Sequence, residues 1–221
     1  MKVIALIPAR YGAARFPGKL MQELAGKTVI RHTYDNTLAT GLFDAVLVAT
    51  DSTVIFDEIT GHGGQAKMTR SDYESGSDRI AEVADTMDAE IILNVQGDTP
   101  FINKTVLKQL IDAFSDPQVQ VASLMQPFEE EAQKDNPNCV KVVVDKKNNS
   151  LLFSRSRIPY PRNTAIAVPC YEHKGVYAFR KNALIQFTQW EMTPLEKAEK
   201  IECLRYLENG VPLRMVEVQK M

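Results

Sequence analysis

The chain has few of the residues that build metal cages or disulfide frameworks. Its three cysteines (Cys139, Cys170, Cys203) and three histidines (His32, His62, His173) are scattered, with no metal-ligand spacing. An odd, dispersed set of thiols predicts reduced cysteines in a cytoplasmic protein. No apolar stretch reaches the length of a membrane span, and the first residues read as a core strand rather than a signal peptide. The formal net charge of −2 excludes a generally basic, non-specific nucleic-acid binder. Both familiar phosphate patterns are missing too. The P-loop needs four residues between its glycines and a Ser or Thr after its Lys. Here five residues separate Gly12 from Gly18, and Leu20 follows Lys19. The G-x-G-x-x-G fingerprint is absent, which sets aside a redox Rossmann enzyme.

What is present starts at the N-terminus. The apolar run of Val3, Ile4, Leu6 and Ile7 has strand character and ends at Pro8. It opens into a loop carrying Arg10, Gly12, Arg15, Gly18 and Lys19. Glycines let backbone N–H groups converge on an anion, and three cations add full charge at the same place. The loop reads as a cradle for a polyphosphate; its plain structural alternative is a solvated basic turn.

Apolar runs then alternate with amphipathic helical patterns. Strands are expected at 3–7, 45–49, 66–68 and 90–95, with helices at 28–39, from Val54, and at 77–87. Continuous Val/Ile/Leu strands separated by helices predict an α/β fold with a mostly parallel central sheet. Asp51, Ser52 and Ser77 are plausible helix caps. From about 119 to 180 the chain reads as a β-rich excursion. Strands at 119–125, 140–144, 150–153 and 171–179 are interrupted by an acidic helix, an Asp145–Asn149 hairpin turn and a proline-rich stretch at 158–169. Helices at 182–190 and 195–208 and a strand at 213–218 complete the pattern. With no repeat, linker or low-complexity segment, residues 1–221 read as one domain.

Two further stations carry chemistry. A buried strand runs straight into Gln96-Gly97-Asp98. A carboxylate at the carboxyl end of a parallel strand faces the ligand crevice of such folds. Mg²⁺ commonly uses one or two carboxylates plus substrate phosphates, so Asp98 is the expected metal ligand; its alternative is a turn-forming Asp. Thr69 and Ser75 have the chemistry to meet a nucleobase edge, and Arg70 and Arg79 to meet phosphate or carbonyl oxygens. Helix capping accounts for Ser75 or Ser77 equally well.

Taken in order, Ile7-Pro8-Ala9-Arg10-Tyr11, Arg15-Phe16-Pro17-Gly18-Lys19, Met68-Thr69-Arg70, Ser75-Gly76-Ser77-Asp78-Arg79 and Asn94-Val95-Gln96-Gly97-Asp98 resemble the 3-deoxy-manno-octulosonate cytidylyltransferase (CMP-KDO synthetase) family. Asn136–Val143, Phe153–Pro159, His173–Tyr177 and Thr193–Glu202 extend the resemblance over essentially the whole chain. It implies a Rossmann-like nucleotidyltransferase fold and a homodimer joined through the β-rich excursion. It also implies Mg²⁺-assisted transfer of CMP from CTP to a 3-deoxy-ulosonic acid for lipopolysaccharide biosynthesis. By position, Arg10, Arg15 and Lys19 match residues holding the triphosphate. Thr69, Arg70 and Ser75 match the cytidine end, and Gln96 and Asp98 the nucleotide–metal station. Arg155, His173, Tyr177 and Glu202 match the acid-sugar side. Lys19, Arg15 and Asp98 are thereby the expected catalytic groups.

On their own, Tyr177 reads as a core aromatic and Glu202 as a solvated helix face, while Arg155 has an ion pair at the dimer contact as its alternative. The resemblance departs at Cys203, where the family pattern has Gln. The family pattern also continues past the last strand into a Val-Asp-Thr-Pro-Glu-Asp-like segment that supplies a second metal carboxylate; either further residues follow Met221 or that ligand is missing. Two alternatives stay open: a cytidylyltransferase for a different acid sugar, and a non-catalytic nucleotide-binding homologue.

Overall fold

A computed structural model of the chain describes residues 1–12, 17–73, 75–101, 103–163, 165–166 and 168–219. These fall into two compact units, Met1–Lys108 with Ala178–Thr188, and Gln109–Tyr177 with Gln189–Met221.

The first unit opens with β1 (Val3–Ala9), followed by the short pair β2 (Glu23–Leu24) and β3 (Lys27–Thr28). Next come α1 (Val29–Ala39), β4 (Ala45–Thr50), α2 (Thr53–Thr60) and β5 (Ala66–Met68). The unit continues through α3 (Gly76–Asp85) and β6 (Ile91–Asn94). Helix α4 (Lys104–Asp112) begins at its end. β1 is central, parallel to β4 on one side and to β6 on the other, and β5 extends the sheet beyond β4. Ile4, Ala5, Leu6 and Ile7 are fully buried, as a strand covered on both faces must be. Each such Leu or Ile contributes about 1.5–3 kcal/mol by leaving water. All four strands end on the same side, and there the loops bring Arg10, Asp51, Thr69 and Gln96 out of the sheet.

The second unit contains β7 (Val121–Pro127), the antiparallel hairpin β8 (Lys141–Val144) and β9 (Ser150–Ser154), and the first seven residues of β10 (Tyr171–Arg180). The last three residues of β10 and nearly all of α5 (Lys181–Gln189) belong to the first unit. The second unit ends with α6 (Pro194–Glu199), α7 (Leu204–Glu208) and β11 (Arg214–Glu217), which runs parallel to β7. The expected hairpin forms. Asp145 Oδ1 accepts the N–H groups of Lys147 and Asn149, both at 2.8 Å, and Asn148 takes a positive φ of 59°.

Four expectations change. The acidic segment is a 3-10 turn, Glu131–Asp135, rather than an α-helix. The helix expected over 195–208 is two helices, because Lys200 adopts the left-handed conformation (φ 54°) and the Arg155 guanidinium takes up the Glu199 and Lys200 carbonyls. Ser75, not Ser77, caps α3, and Ser52 stands at the start of α2 without a side-chain cap bond. Helix α4 was not anticipated, although Val106, Leu107, Leu110 and Ile111 give it a buried face at helical spacing. No helix among the described residues is long and apolar enough to cross a membrane.

Candidate active site

In the first unit, β1 delivers Arg10 and Tyr11 at its carboxyl end. The chain returns to Tyr11 at Gly18, whose N–H donates to the Tyr11 carbonyl at 2.8 Å. Gly18 needs its φ of +73°, and a Cβ there would already touch the Tyr11 ring at 3.6 Å. This closure presents Lys19, and its Nζ lies 2.6 Å from Asp98 Oδ2, with both side chains about half exposed (51% and 45%). Arg15 lies outside the described residues.

Asp98 is held by what precedes it. A Cβ on Gly97 would come within 3.0 Å of the Pro8 carbonyl and 3.3 Å of Ile30 and Leu20. Only glycine lets the turn press this closely against β1 and α1, and Thr33 fastens it by donating to the Gly97 carbonyl at 2.9 Å. Gln96 Nε2 is 3.5 Å from Asn94 Oδ1, a long and weak contact, so its amide stays available. Among the described residues no three His, Cys, Asp or Glu side chains gather into a metal cage. Asp98 itself offers an exposed carboxylate that belongs to no such cage among the described residues. That fits Mg²⁺, which takes its remaining ligands from phosphate oxygens and water, and does not fit a resident structural metal.

The loop after β5 carries the expected nucleobase residues. Thr69 is half-buried and Arg70 exposed. Arg70 forms a bidentate pair with Asp72 (3.0 and 2.6 Å) and lies 5.2 Å from the centre of the Tyr73 ring. Its hydrogen bonds hold the Asp72 carboxyl below the usual range. Arg10 donates to the Tyr73 carbonyl, tying the end of β1 to this loop. The Ser75 hydroxyl is engaged within α3, accepting from the Asp78 N–H at 3.1 Å and donating to the Asp78 carboxylate at 2.7 Å. Arg79, expected to meet ligand oxygens, is instead fully buried, with one fork nitrogen 2.9 Å from Asp51 Oδ2. Charge in the motif pointed to a ligand; burial shows a structural partner.

In the second unit, His173 is 8% exposed. Its Nε2 is 2.8 Å from the Ser123 hydroxyl, and its ring meets Phe153 edge-on at 4.9 Å and Tyr177 at 5.4 Å. Burial, aided by the neighbouring Lys174 charge, pushes its pKa down to about 3, so the imidazole is neutral. Tyr177 is buried beside Cys203, and the two share a hydrogen bond. Burial first, then nearby negative charge that includes Glu202, pushes both groups well above their ordinary values. His173, Tyr177, Glu202 and Cys203 therefore form one neighbourhood. Arg155 has a different set of partners. Its Nε donates to the Glu199 carbonyl at 2.6 Å, Nη1 to Pro137 at 2.9 Å and Nη2 to Lys200 at 3.3 Å. The sequence offered no sign of this; its partners lie far along the chain and are backbone atoms.

A family model described as cytidylyltransferase matches residues 4–217. The chain belongs to the cytidylyltransferase family. A 3-deoxy-manno-octulosonate cytidylyltransferase of Flavobacterium johnsoniae is 52% identical over 220 residues, covering 98% of this chain and 90% of that protein. One from Christiangramia forsetii is 50% identical over 219 residues, covering 98% and 88%. A solved structure of CMP:2-keto-3-deoxy-manno-octonic acid synthetase complexed with CTP matches with a TM-score of 0.95 and 39% identity, covering 100% of this chain and 91% of that one. The Rossmann-like α/β architecture of this cytidylyltransferase thus agrees with the resemblance read from its motifs.

Proposed function

We propose that this cytidylyltransferase transfers CMP from CTP to the anomeric hydroxyl of 3-deoxy-manno-octulosonate, releasing pyrophosphate, as a step in lipopolysaccharide biosynthesis. The reading is carried by Arg10, Lys19, Gln96 and Asp98, grouped at the carboxyl ends of β1 and β6, in a chain half identical over nearly its full length to proteins of that name.

In this reading the sugar hydroxyl attacks the α-phosphorus in line with the departing pyrophosphate. Lys19, Arg10 and Arg15 neutralise the charge that builds on the leaving group, and fixed cations give such transfers their largest electrostatic help. Thr69 and Arg70 take the cytidine end. Ser75 shapes that end through its backbone, since its hydroxyl is engaged within α3. His173, Tyr177, Glu202 and Arg155 form or support the acid-sugar side. Asp98 would hold Mg²⁺, which when bound supplies Lewis-acid and template chemistry.

The chain works as one catalytic domain over 1–221 in the cytoplasm, its cysteines reduced and free. It pairs with a second copy through the β-rich excursion, where Leu151, Tyr160, Ile166 and Val168 are exposed. The test is pyrophosphate release from CTP with a panel of acid sugars. Release that requires 3-deoxy-manno-octulosonate supports the reading. Faster turnover of another acid sugar moves the substrate, and no release with any of them leaves a nucleotide-binding homologue.

A further inference from the structure

The Arg79 side chain is fully buried, yet Nε has no hydrogen-bond partner among the described residues. An unsatisfied buried donor opposes folding, so packing alone does not account for an arginine here. Its fork instead ties two separate loops of the first unit to α3. Nη2 donates to Asp51 Oδ2 at 2.9 Å, just past β4. Nη1 donates to the Thr69 hydroxyl oxygen and, at 3.3 Å, to the Arg70 carbonyl, just past β5. Glu82, on the same helix α3, accepts the Arg70 N–H at 3.1 Å and also bonds the Tyr73 hydroxyl. The loop that begins at Thr69 is thus pinned by two side chains of one helix.

The contact with Thr69 has a chemical consequence. A guanidinium only donates, so Thr69 Oγ1 must accept. That leaves the hydroxyl its single proton to give, and among the described residues no acceptor takes it. A positive charge donating into the oxygen also polarises the hydroxyl, making it a stronger donor and a weaker acceptor. Cytosine N3 is an acceptor, whereas uracil N3 carries a proton. We propose that Arg79 is a positioning residue for nucleobase choice: by holding Thr69 Oγ1 it commits that hydroxyl to donate to cytosine N3 and disfavours uracil. This rests on the cytidylyl-transfer reading and deepens it.

The test is a double-mutant cycle read as the ratio of CTP to UTP kcat/KM, with Kd for each nucleotide by calorimetry alongside. Thr69→Val removes the hydroxyl, and Arg79→Lys keeps the charge but loses the fork. Melting curves establish that each variant is folded. Each single change should lower the CTP:UTP ratio about tenfold, the value of one hydrogen bond, and the double no further than either single. A ratio within about twofold of the parent's in either variant, or fully additive losses, overturns the proposal. Should Arg79→Lys fail to fold, Asp51→Asn, which removes the anchor of the guanidinium, enters the cycle with the same two outcomes. A parent enzyme that turns over neither nucleotide refutes the transfer reading instead, while the Kd ratios still decide the role of Arg79.

Discussion

The Lys19 ammonium rests 2.6 Å from the Asp98 carboxylate, joining the loop after β1 to the turn after β6. These are the cation expected on the triphosphate and the carboxylate expected on the metal, here paired with each other. Both are about half exposed, so the contact is weakly stabilising at most and readily exchanged. In the proposed reaction a metal–nucleotide complex would offer each partner a replacement: phosphate oxygens for Lys19, the cation for Asp98.

Asp98→Asn tests the metal side. The neutral amide is a much poorer Mg²⁺ ligand, so turnover should be nearly abolished. Metal-free CTP binding, followed by calorimetry, should survive far better than catalysis, because Lys19 loses a competing partner. Near-normal turnover would remove Asp98 from the mechanism.

Lys19→Met keeps the apolar stem and removes the charge. Loss of a group that stabilises the transition state should reduce kcat/KM by about 10²-fold or more. The distinction lies in which parameter moves: a change confined to KM would mean that Lys19 only holds the ground-state triphosphate.

The first unit was legible because its code is local. Fully buried runs such as Ile4–Ile7 and Ile91–Val95 mark parallel strands without reference to the rest of the chain. Gly97 marks a close backbone approach and Gly18 a left-handed turn, both set by nearby residues. The partners of charged residues were not legible. Arg79 and Arg155 read as ligand-facing cations, yet one is buried against Asp51 and the other bonded to three carbonyls. Nothing in a one-dimensional pattern states whether a cation faces a ligand or the protein's own oxygens. The break at Lys200 was hidden for the same reason, since a distant arginine captures the carbonyls there.

Glu196 and Arg205 link α6 to α7 by a bidentate pair, both bonds 2.7 Å, with both residues buried (4% and 6% exposed). Removing one member leaves the other charged and desolvated. Glu196→Gln or Arg205→Met should therefore cost about 3–5 kcal/mol in denaturant unfolding. A double replacement by apolar residues of similar volume should recover part of that loss. A single-variant cost under about 1 kcal/mol would show that water reaches the pair.

Arg155→Lys separates two roles. With its fork on Pro137, Glu199 and Lys200, Arg155 shapes the turn just ahead of Glu202. An ammonium cannot span three carbonyls, so the turn should loosen. The expected outcome is a raised acid-sugar KM together with a lower melting temperature, by about 2–4 °C per kcal/mol lost. CTP affinity should be nearly unchanged. A large rise in sugar KM with no change in melting would make Arg155 a direct carboxylate clamp. A monomeric variant with sugar affinity intact would place it at the contact between copies.

His173 gives the enzyme an acid-side signature with a definite sign. Its folded pKa, about 3, is depressed by burial and by Lys174, while in the unfolded chain an imidazole titrates near 6.5. Between those values the unfolded state binds a proton that the folded state does not, so stability rises with pH across this window and falls on acidification. One such group contributes a slope of up to about 1.4 kcal/mol per pH unit. Protonating the folded form would put a charge among Phe153, Tyr177 and the Ser123 hydroxyl, with Lys174 adjacent. His173→Gln keeps a polar group for Ser123 and cannot titrate. Its unfolding free energy, measured against the parent from pH 7.5 to 4, should decline less steeply below pH 6.5. The parent's stability relative to the variant should therefore fall steadily as the pH drops below 6.5, whatever their offset at neutral pH. Parallel curves would mean that water or an anion already accommodates the charged imidazole, and that His173 is open to ligand in a way its burial denies.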